Sequence, residues 1–249
     1  MSNSCRILAL GSTARLAATV LPSAALNKNV AWSSSDPTVA TVTQTGFITP
    51  LKIGKTVIYA KCEENGKIMG QCTIYVRGNI NILASQVHRY IRTNNFTYRM
   101  NANFDGSTWK DVENSVKEYT SSKKVNCAEF VSWVYNRAGY IDRIYSSSGN
   151  LKTALESMTG DIKFKTITKY QYDKNKNLLS PKDYLEPGDI IMYGDHEHTE
   201  IYAGYENERY YTYNCGSDGS INYTETQSLI TLSVNGHSFS YAFRPVVNE

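Results

Sequence analysis

Long apolar runs and a strong net charge are both missing from this sequence. Stretches such as Ile190-Ile191-Met192-Tyr193 fall far short of the roughly 20 residues that span a bilayer, so no membrane span is expected. The net charge is only +3 over 249 residues, without a basic stripe, and nucleic acid is therefore not an expected partner. Hydrophobic residues at 41% and charged residues at 20% exclude a disordered or fibrous chain.

The N-terminus also lacks a basic lead followed by an apolar core, so no signal peptide is expected in this chain. Cysteine is scarce: the five residues cannot all pair, and none lies in a Cys-x-x-Cys metal motif. Asn65-Gly66 predicts a two-residue hairpin turn that holds Cys62 about 10 Å from Cys72, too far for a disulfide. Most thiols are expected to be free, as in a chain folded in a reducing cytosol.

The composition changes along the chain and predicts two domains. The first 78 residues contain eight basic and three acidic side chains, whereas the remainder contains 18 and 20. Tyrosine occurs twice in the first part and 17 times in the second. We place the junction at Arg77-Gly78-Asn79, with domains over residues 1–77 and 79–249.

Short alternating strands separated by turn residues predict an all-β sandwich for the first domain. The predicted strands cover residues 14–20, 30–33, 39–42, 46–49, 56–60 and 72–76. The stretch Trp32-Ser33-Ser34-Ser35-Asp36-Pro37-Thr38-Val39-Ala40-Thr41-Val42, with Gly46, Gly54 and Thr73-Ile74-Tyr75-Val76, resembles the bacterial immunoglobulin-like domains of group two. This resemblance implies a spacer or adhesive module of a protein that acts at a cell surface.

A cysteine at a predicted helix start is the first candidate for chemistry in the second domain. Cys127, Phe130, Val131, Val134 and Ala138 share one helical face, and a helix is also predicted from residue 80 to 91. The pair Asn126 and Glu129 has the form of an N-terminal capping box, and Gly139 is a natural stop. A cysteine at the first helical position meets free N–H groups, which stabilise the reactive thiolate. A buried structural cysteine is the alternative.

A histidine and an amide follow on a predicted antiparallel meander. Its strands begin after Glu186-Pro187-Gly188-Asp189 and run over residues 190–193, 199–204 and 209–214. A cysteine nucleophile needs a base and a group that orients the base. We predict Cys127, His198 and Asn214 for these three roles, with Asp218 as the alternative orienting group.

Four motifs of the second domain resemble those of the NlpC-type cell-wall cysteine peptidases. They are Asn126-Cys127-Ala128-Glu129-Phe130-Val131, Glu186-Pro187-Gly188-Asp189-Ile190-Ile191, His198-Thr199-Glu200-Ile201-Tyr202-Ala203-Gly204 and Tyr241-Ala242-Phe243-Arg244-Pro245. The resemblance implies an α+β papain-like fold, with helices packed on an antiparallel sheet. It assigns Cys127 as nucleophile, His198 as base and Asn214 as orienting group. Tyr98, Asn126 and His196 are the candidates for substrate binding.

No cofactor and no metal are expected. His196 and His198 would face the same side of a strand, which is a possible zinc-chelating geometry, but no third ligand has convincing spacing. His196 is instead interpreted as a loop residue at the rim of the site.

The expected function is a cysteine-dependent peptidoglycan hydrolase that cleaves an amide bond, as a stem-peptide endopeptidase or an amidase. Its expected partner is the bacterial cell wall, where it would act extracellularly as a phage lysin, a tail-associated hydrolase or a trimmed bacterial autolysin. A cysteine amidase of the related CHAP type and a non-catalytic surface-binding or adhesion protein are the alternatives. The oligomeric state stays open.

Overall fold

The computed structural model describes residues 4–64, 66–93, 97–98, 124–194, 198–215, 221–226, 233–234 and 237–247. The chain divides into two compact units, the first ending at Asn79 and the second beginning at Ile80. This division falls at the end of the segment predicted as the junction. No helix among the described residues is both long and apolar enough to cross a membrane.

The first unit is an all-β domain of two small sheets. Its strands are β1 (Ser4–Ala9), β2 (Ala14–Arg15), β3 (Val30–Ser34), β4 (Ala40–Val42), β5 (Phe47–Pro50), β6 (Gly54–Cys62) and β7 (Ile68–Arg77). One sheet has the order β1-β7-β6-β3 and the other β2-β5-β4. Ile48, Ile58 and Ile74 are fully buried in one apolar cluster, as expected when alternate residues of facing strands point inward.

Three details of this unit differ from the prediction. The strand predicted over residues 14–20 ends at Arg15 as β2, although Leu16 and Val20 beyond it are buried. Strand β1 was not predicted; it pairs in parallel with β7 and shows no alternating burial. The prediction of a two-residue turn is wrong, because β6 ends at Cys62 and β7 begins at Ile68. Asn65 itself lies outside the described residues. None of the five cysteines, all of which are described, forms a disulfide.

The second unit combines helices with a large antiparallel sheet. Its helices are α1 (Ile80–Thr93), α2 (Cys127–Arg137), α3 (Ser148–Ser157) and a 3₁₀ turn (Pro181–Asp183). Its strands are β8 (Thr97–Tyr98), β9 (Lys124–Val125), β10 (Ile162–Thr168), β11 (Ile190–Tyr193), β12 (His198–Glu206), β13 (Arg209–Cys215), β14 (Ile221–Thr226), β15 (Ser233–Val234) and β16 (His237–Val247). The main sheet has the order β10-β16-β11-β12-β13-β14, and β15 pairs with β16.

Helix α2 begins and ends where the sequence predicts. The Asn126 side chain accepts a hydrogen bond from the Glu129 backbone N–H, and the Glu129 carboxylate accepts one from the Asn126 N–H, both at 2.9 Å. Gly139 has a φ of +80°, the left-handed conformation that closes a helix. The one-sided burial that the sequence predicts is wrong, since every residue from Cys127 to Tyr135 is buried. A helix that is buried all round packs against neighbours on every side, and this packing positions Cys127.

The turn before β11 is anchored from two directions. The Tyr135 hydroxyl on α2 donates a hydrogen bond to the carbonyl of Gly188. The Arg244 guanidinium on β16 binds the buried Asp189 carboxylate through two hydrogen bonds, at 2.8 and 2.7 Å. Glu186 accepts a third bond from Arg244 at 2.6 Å. These hydrogen bonds connect the turn with α2, which begins at Cys127, and with β16.

Candidate active site

Cys127 lies at the N-terminus of α2 and its sulfur is surrounded by hydrogen-bond donors. Burial raises the pKa of the Cys127 thiol, but hydrogen bonds from the His198 side chain, the Ser148 hydroxyl and the Thr199 backbone N–H outweigh it, so the net pKa is lowered. The Ser148 oxygen is 3.7 Å from the sulfur. Ser148 is the first residue of α3, so two helix N-termini meet at this thiol. Their N–H groups favour a negative sulfur.

His198 is the first residue of β12 and contacts both the thiol and a carboxylate. Its Nε2 lies 3.0 Å from the Glu200 Oε1, which leaves Nδ1 as the ring nitrogen available to Cys127. Burial lowers the pKa of His198, but its bonds to Cys127 and Glu200 prevail and raise it. The lowered thiol pKa and the raised imidazole pKa together favour a thiolate–imidazolium pair.

The Glu200 carboxylate is itself held on both oxygens. Its side chain is only 4% exposed, its Oε1 faces His198, and its Oε2 accepts a hydrogen bond from the Tyr193 hydroxyl at 3.0 Å. Tyr193 is the register partner of His198 across β11 and β12, and the two ring centroids lie 5.7 Å apart. The sheet register therefore places tyrosine, carboxylate and imidazole in one chain of contacts that ends at Cys127.

The geometry adds Glu200 as a candidate for the third role of the predicted triad. Asn214 is predicted to orient His198, and in the structure the Nε2 of that ring contacts Glu200. Asn214 is buried on β13, directly after Tyr213, which pairs with Ile201 of β12. It therefore lies beside Glu200 on the neighbouring strand. The alternative orienting group, Asp218, lies outside the described residues.

The structure describes two of the three residues predicted to bind substrate. The Asn126 side chain is used for structure: its oxygen caps α2, and its Nδ2 donates to the Ser146 carbonyl at 2.8 Å. Tyr98 pairs with Val125 in the short parallel ladder of β8 and β9, which brings its backbone close to the start of α2. His196 lies outside the described residues.

Two residues of the site were missed in the sequence, Glu200 and Ser148. For Glu200 a local pattern existed, because residues two apart on a strand face the same side, and His198-Thr199-Glu200 starts a predicted strand. Ser148 follows Cys127 by 21 positions, and no local pattern links the two residues. Among the described residues no cluster of three His, Cys, Asp or Glu side chains has the arrangement of a metal site.

Comparison with known proteins identifies the first unit. Residues 2–68 match the bacterial Ig-like domain of group 2, which agrees with the all-β architecture of this unit. The N-terminal part of the chain is therefore a bacterial Ig-like domain.

The chain matches short parts of curated relatives that are much longer than itself. Two uncharacterized proteins of Clostridium acetobutylicum are 41% and 36% identical to this chain over 69 residues, which is 28% of the chain. An alpha-L-arabinofuranosidase of Bifidobacterium longum is 32% identical over 180 residues, 67% of the chain. The matches cover 7%, 17% and 17% of those proteins, so the chain corresponds to less than a fifth of the length of each relative.

Proposed function

We propose that the second unit is a papain-like cysteine hydrolase of the NlpC type that cleaves an amide bond in bacterial peptidoglycan. The observation that carries the proposal is the arrangement of Cys127, His198 and Glu200. It combines a thiol of lowered pKa at a helix start with a base that is fixed by a buried carboxylate. These are the components that nucleophilic catalysis by cysteine requires.

The proposed reaction is acyl transfer through a thioester. The Cys127 thiolate attacks the amide carbonyl, and the C–N bond breaks as the His198 imidazolium gives its proton to the leaving amine. Water then attacks the thioester, His198 takes its proton, and the thiolate is released with a carboxylic acid product. The Cys127 N–H lies at the first helical position, where it has no partner within the helix, and it would donate to the oxyanion.

The substrate class rests on the sequence resemblance together with the Ig-like domain. The motifs around Cys127 and His198 resemble cell-wall peptidases, and Ig-like domains of group two commonly accompany proteins that act at cell surfaces. Both point to extracellular action on the wall, by a phage hydrolase or a bacterial autolysin. Stem-peptide endopeptidase and amidase activities, including the CHAP type, use the same chemistry and differ in the bond that is cleaved.

The test is mass spectrometry of fragments released from purified sacculi. The wild-type chain should release soluble fragments whose new termini name the bond, and Cys127→Ala should release none. Cys5→Ala removes an exposed thiol of the first unit and is the matched control, which should retain the wild-type rate. A Cys127→Ala variant with wild-type activity would overturn the assignment.

A purely adhesive protein is the second candidate, favoured by the Ig-like domain. Labelling with iodoacetamide at neutral pH distinguishes the two functions without a known substrate. Hydrolase function predicts that Cys127 reacts faster than the similarly buried Cys62 and Cys72, because its lowered pKa favours the thiolate. Lack of reaction at Cys127, together with retention of the chain on sacculi without fragment release, would favour adhesion.

A further inference from the structure

A tyrosine-bearing hairpin with mostly exposed residues follows β10 in the second unit. This tyrosine hairpin, residues 169–179, joins β10 to the 3₁₀ turn at Pro181. Tyr172 and Leu178 form an antiparallel bridge, flanked by hydrogen bonds from Asp173 N to Asn177 O at 3.0 Å and from Leu179 N to Gln171 O at 2.8 Å. This pattern is a non-hydrogen-bonded pair, in which two side chains lie close together on the same side.

The hairpin is held together by its own hydrogen bonds. The Asp173 carboxylate accepts bonds from the backbone N–H groups of Asn175 and Asn177, both at 2.8 Å, and from the Asn177 side chain at 3.0 Å. Gln171 donates to the carbonyl and the hydroxyl of Thr168 at the base. A loop fixed in this way loses little conformational entropy when it binds a partner.

Its large side chains are nevertheless exposed. Four large hydrophobic side chains are exposed in the described part of the second unit, and three of them belong to this hairpin. Tyr170 is 55% exposed, Tyr172 60% and Leu178 52%. Exposed apolar groups gathered on one element mark an interaction surface more often than scattered ones do.

The hairpin also carries positively charged lysine side chains. Residues 169–179 contain Lys169, Lys174 and Lys176 against a single acid, Asp173. The Lys169 Nζ lies 5.5 Å from the centroid of the Tyr170 ring. The surface therefore combines flat aromatic faces with positive charge and complements a partner that carries both apolar faces and anions.

We propose that the tyrosine hairpin binds an anionic polysaccharide. Sugar rings would stack on Tyr170 and Tyr172, and the phosphate or carboxylate groups of the polymer would pair with Lys174 and Lys176. A membrane surface fits less well, because the apolar residues stand on the arms of the hairpin and its tip, residues 173–177, is polar. Insertion of the arms into a bilayer would bury this charged tip. The inference goes beyond the proposed hydrolase function and does not depend on it.

The test measures binding of the full chain in a Cys127→Ala background, so that catalysis plays no part. The probes are polygalacturonate, phosphomannan, neutral dextran and phosphatidylcholine vesicles with about one third phosphatidylglycerol. We expect binding to an anionic polysaccharide and about tenfold weaker binding, about 1.4 kcal/mol, when Tyr170 and Tyr172 are both alanine. Lys174→Gln with Lys176→Gln should weaken binding and reduce its salt dependence.

The matched control is Ile82→Ala, which removes a similarly exposed apolar side chain of the same unit. It should bind as the background chain does. Equal binding by the double tyrosine variant and by Ile82→Ala would overturn the proposal. So would equal binding to dextran, or tyrosine-dependent binding to the vesicles without binding to either anionic polysaccharide. Absence of sacculus hydrolysis by the wild-type chain would refute the proposed function and leave the binding proposal intact.

Discussion

Replacing Glu200 by glutamine tests whether this carboxylate controls the candidate catalytic histidine. The change keeps the size of the side chain and removes the negative charge that lies 3.0 Å from His198 Nε2. A hydrogen bond to a charged group contributes about 1.5–3 kcal/mol, and one pKa unit corresponds to about 1.4 kcal/mol. The pKa of His198, which stands at about 10, should therefore fall by about one to two units in Glu200→Gln.

The assay is an NMR titration of the histidine ring with isotope-labelled protein. It needs no substrate, and the other three histidines serve as internal references. Asn214→Ala is the companion variant, because it removes the orienting group that the sequence predicts. Because the Asn214 amide is neutral, its removal does not change the charge around the imidazolium. This variant should therefore change the His198 pKa little. A large shift in Asn214→Ala with none in Glu200→Gln would refute the assignment of the orienting role.

Three further predictions concern catalysis and stability. The rate constant kcat/KM should rise with pH as the Cys127 thiol ionises below its ordinary pKa of 9.0, and fall near pH 10 as His198 loses its proton, as measured by fragment release from sacculi. Arg244→Met should lower the free energy of unfolding by about 2–4 kcal/mol in urea, because the buried Asp189 carboxylate loses its partner. Gly46→Ala should lower the melting temperature, because the residue has a φ of +82° and a Cβ there would lie 2.4 Å from the Leu16 carbonyl oxygen.

Matched controls separate these effects from general damage. Arg143→Met removes an arginine whose ion pair with Asp142 is exposed, and its stability should change little. Gly11→Ala places alanine at a φ of +81° with no atom within 4 Å of the new Cβ, so it isolates the conformational cost from the clash at Gly46. Equal losses within either pair would contradict the structural explanation. A profile for kcat/KM with its only inflection at the ordinary histidine pKa of 6.5 would contradict the ion pair.

Local sequence patterns were sufficient for the elements that carry the site. The start of α2 depends on the reciprocal capping of Asn126 and Glu129, and its end on Gly139; these interactions span three or four residues. The strands β11, β12 and β13 begin within one residue of their predicted starts, because alternation and turn residues act over similar distances. Cys127 and His198 were therefore found at the correct ends of their elements.

Patterns that depend on distant partners were not predicted. Strand β1 has no alternating burial of its own, and it exists because β7 offers a parallel edge more than 60 residues away. The length of the β6–β7 hairpin was misjudged, because the register of that pair is set by packing along both strands and a bulge at Ala60 and Lys61.

The sequence by itself predicted the candidate nucleophile, the candidate base, the Ig-like domain and the division of the chain, since each rests on a local motif or on composition. Only the tertiary structure decided which group holds His198. Asn214 and Glu200 both lie in this part of the sheet, and the contact of Glu200 with His198 depends on the register of β11 with β12, which places Tyr193 to hold the carboxylate of Glu200. The tertiary structure also brings Ser148 to the Cys127 thiol. Such contacts depend on side-chain directions and on the packing of separate elements, and a linear pattern contains neither.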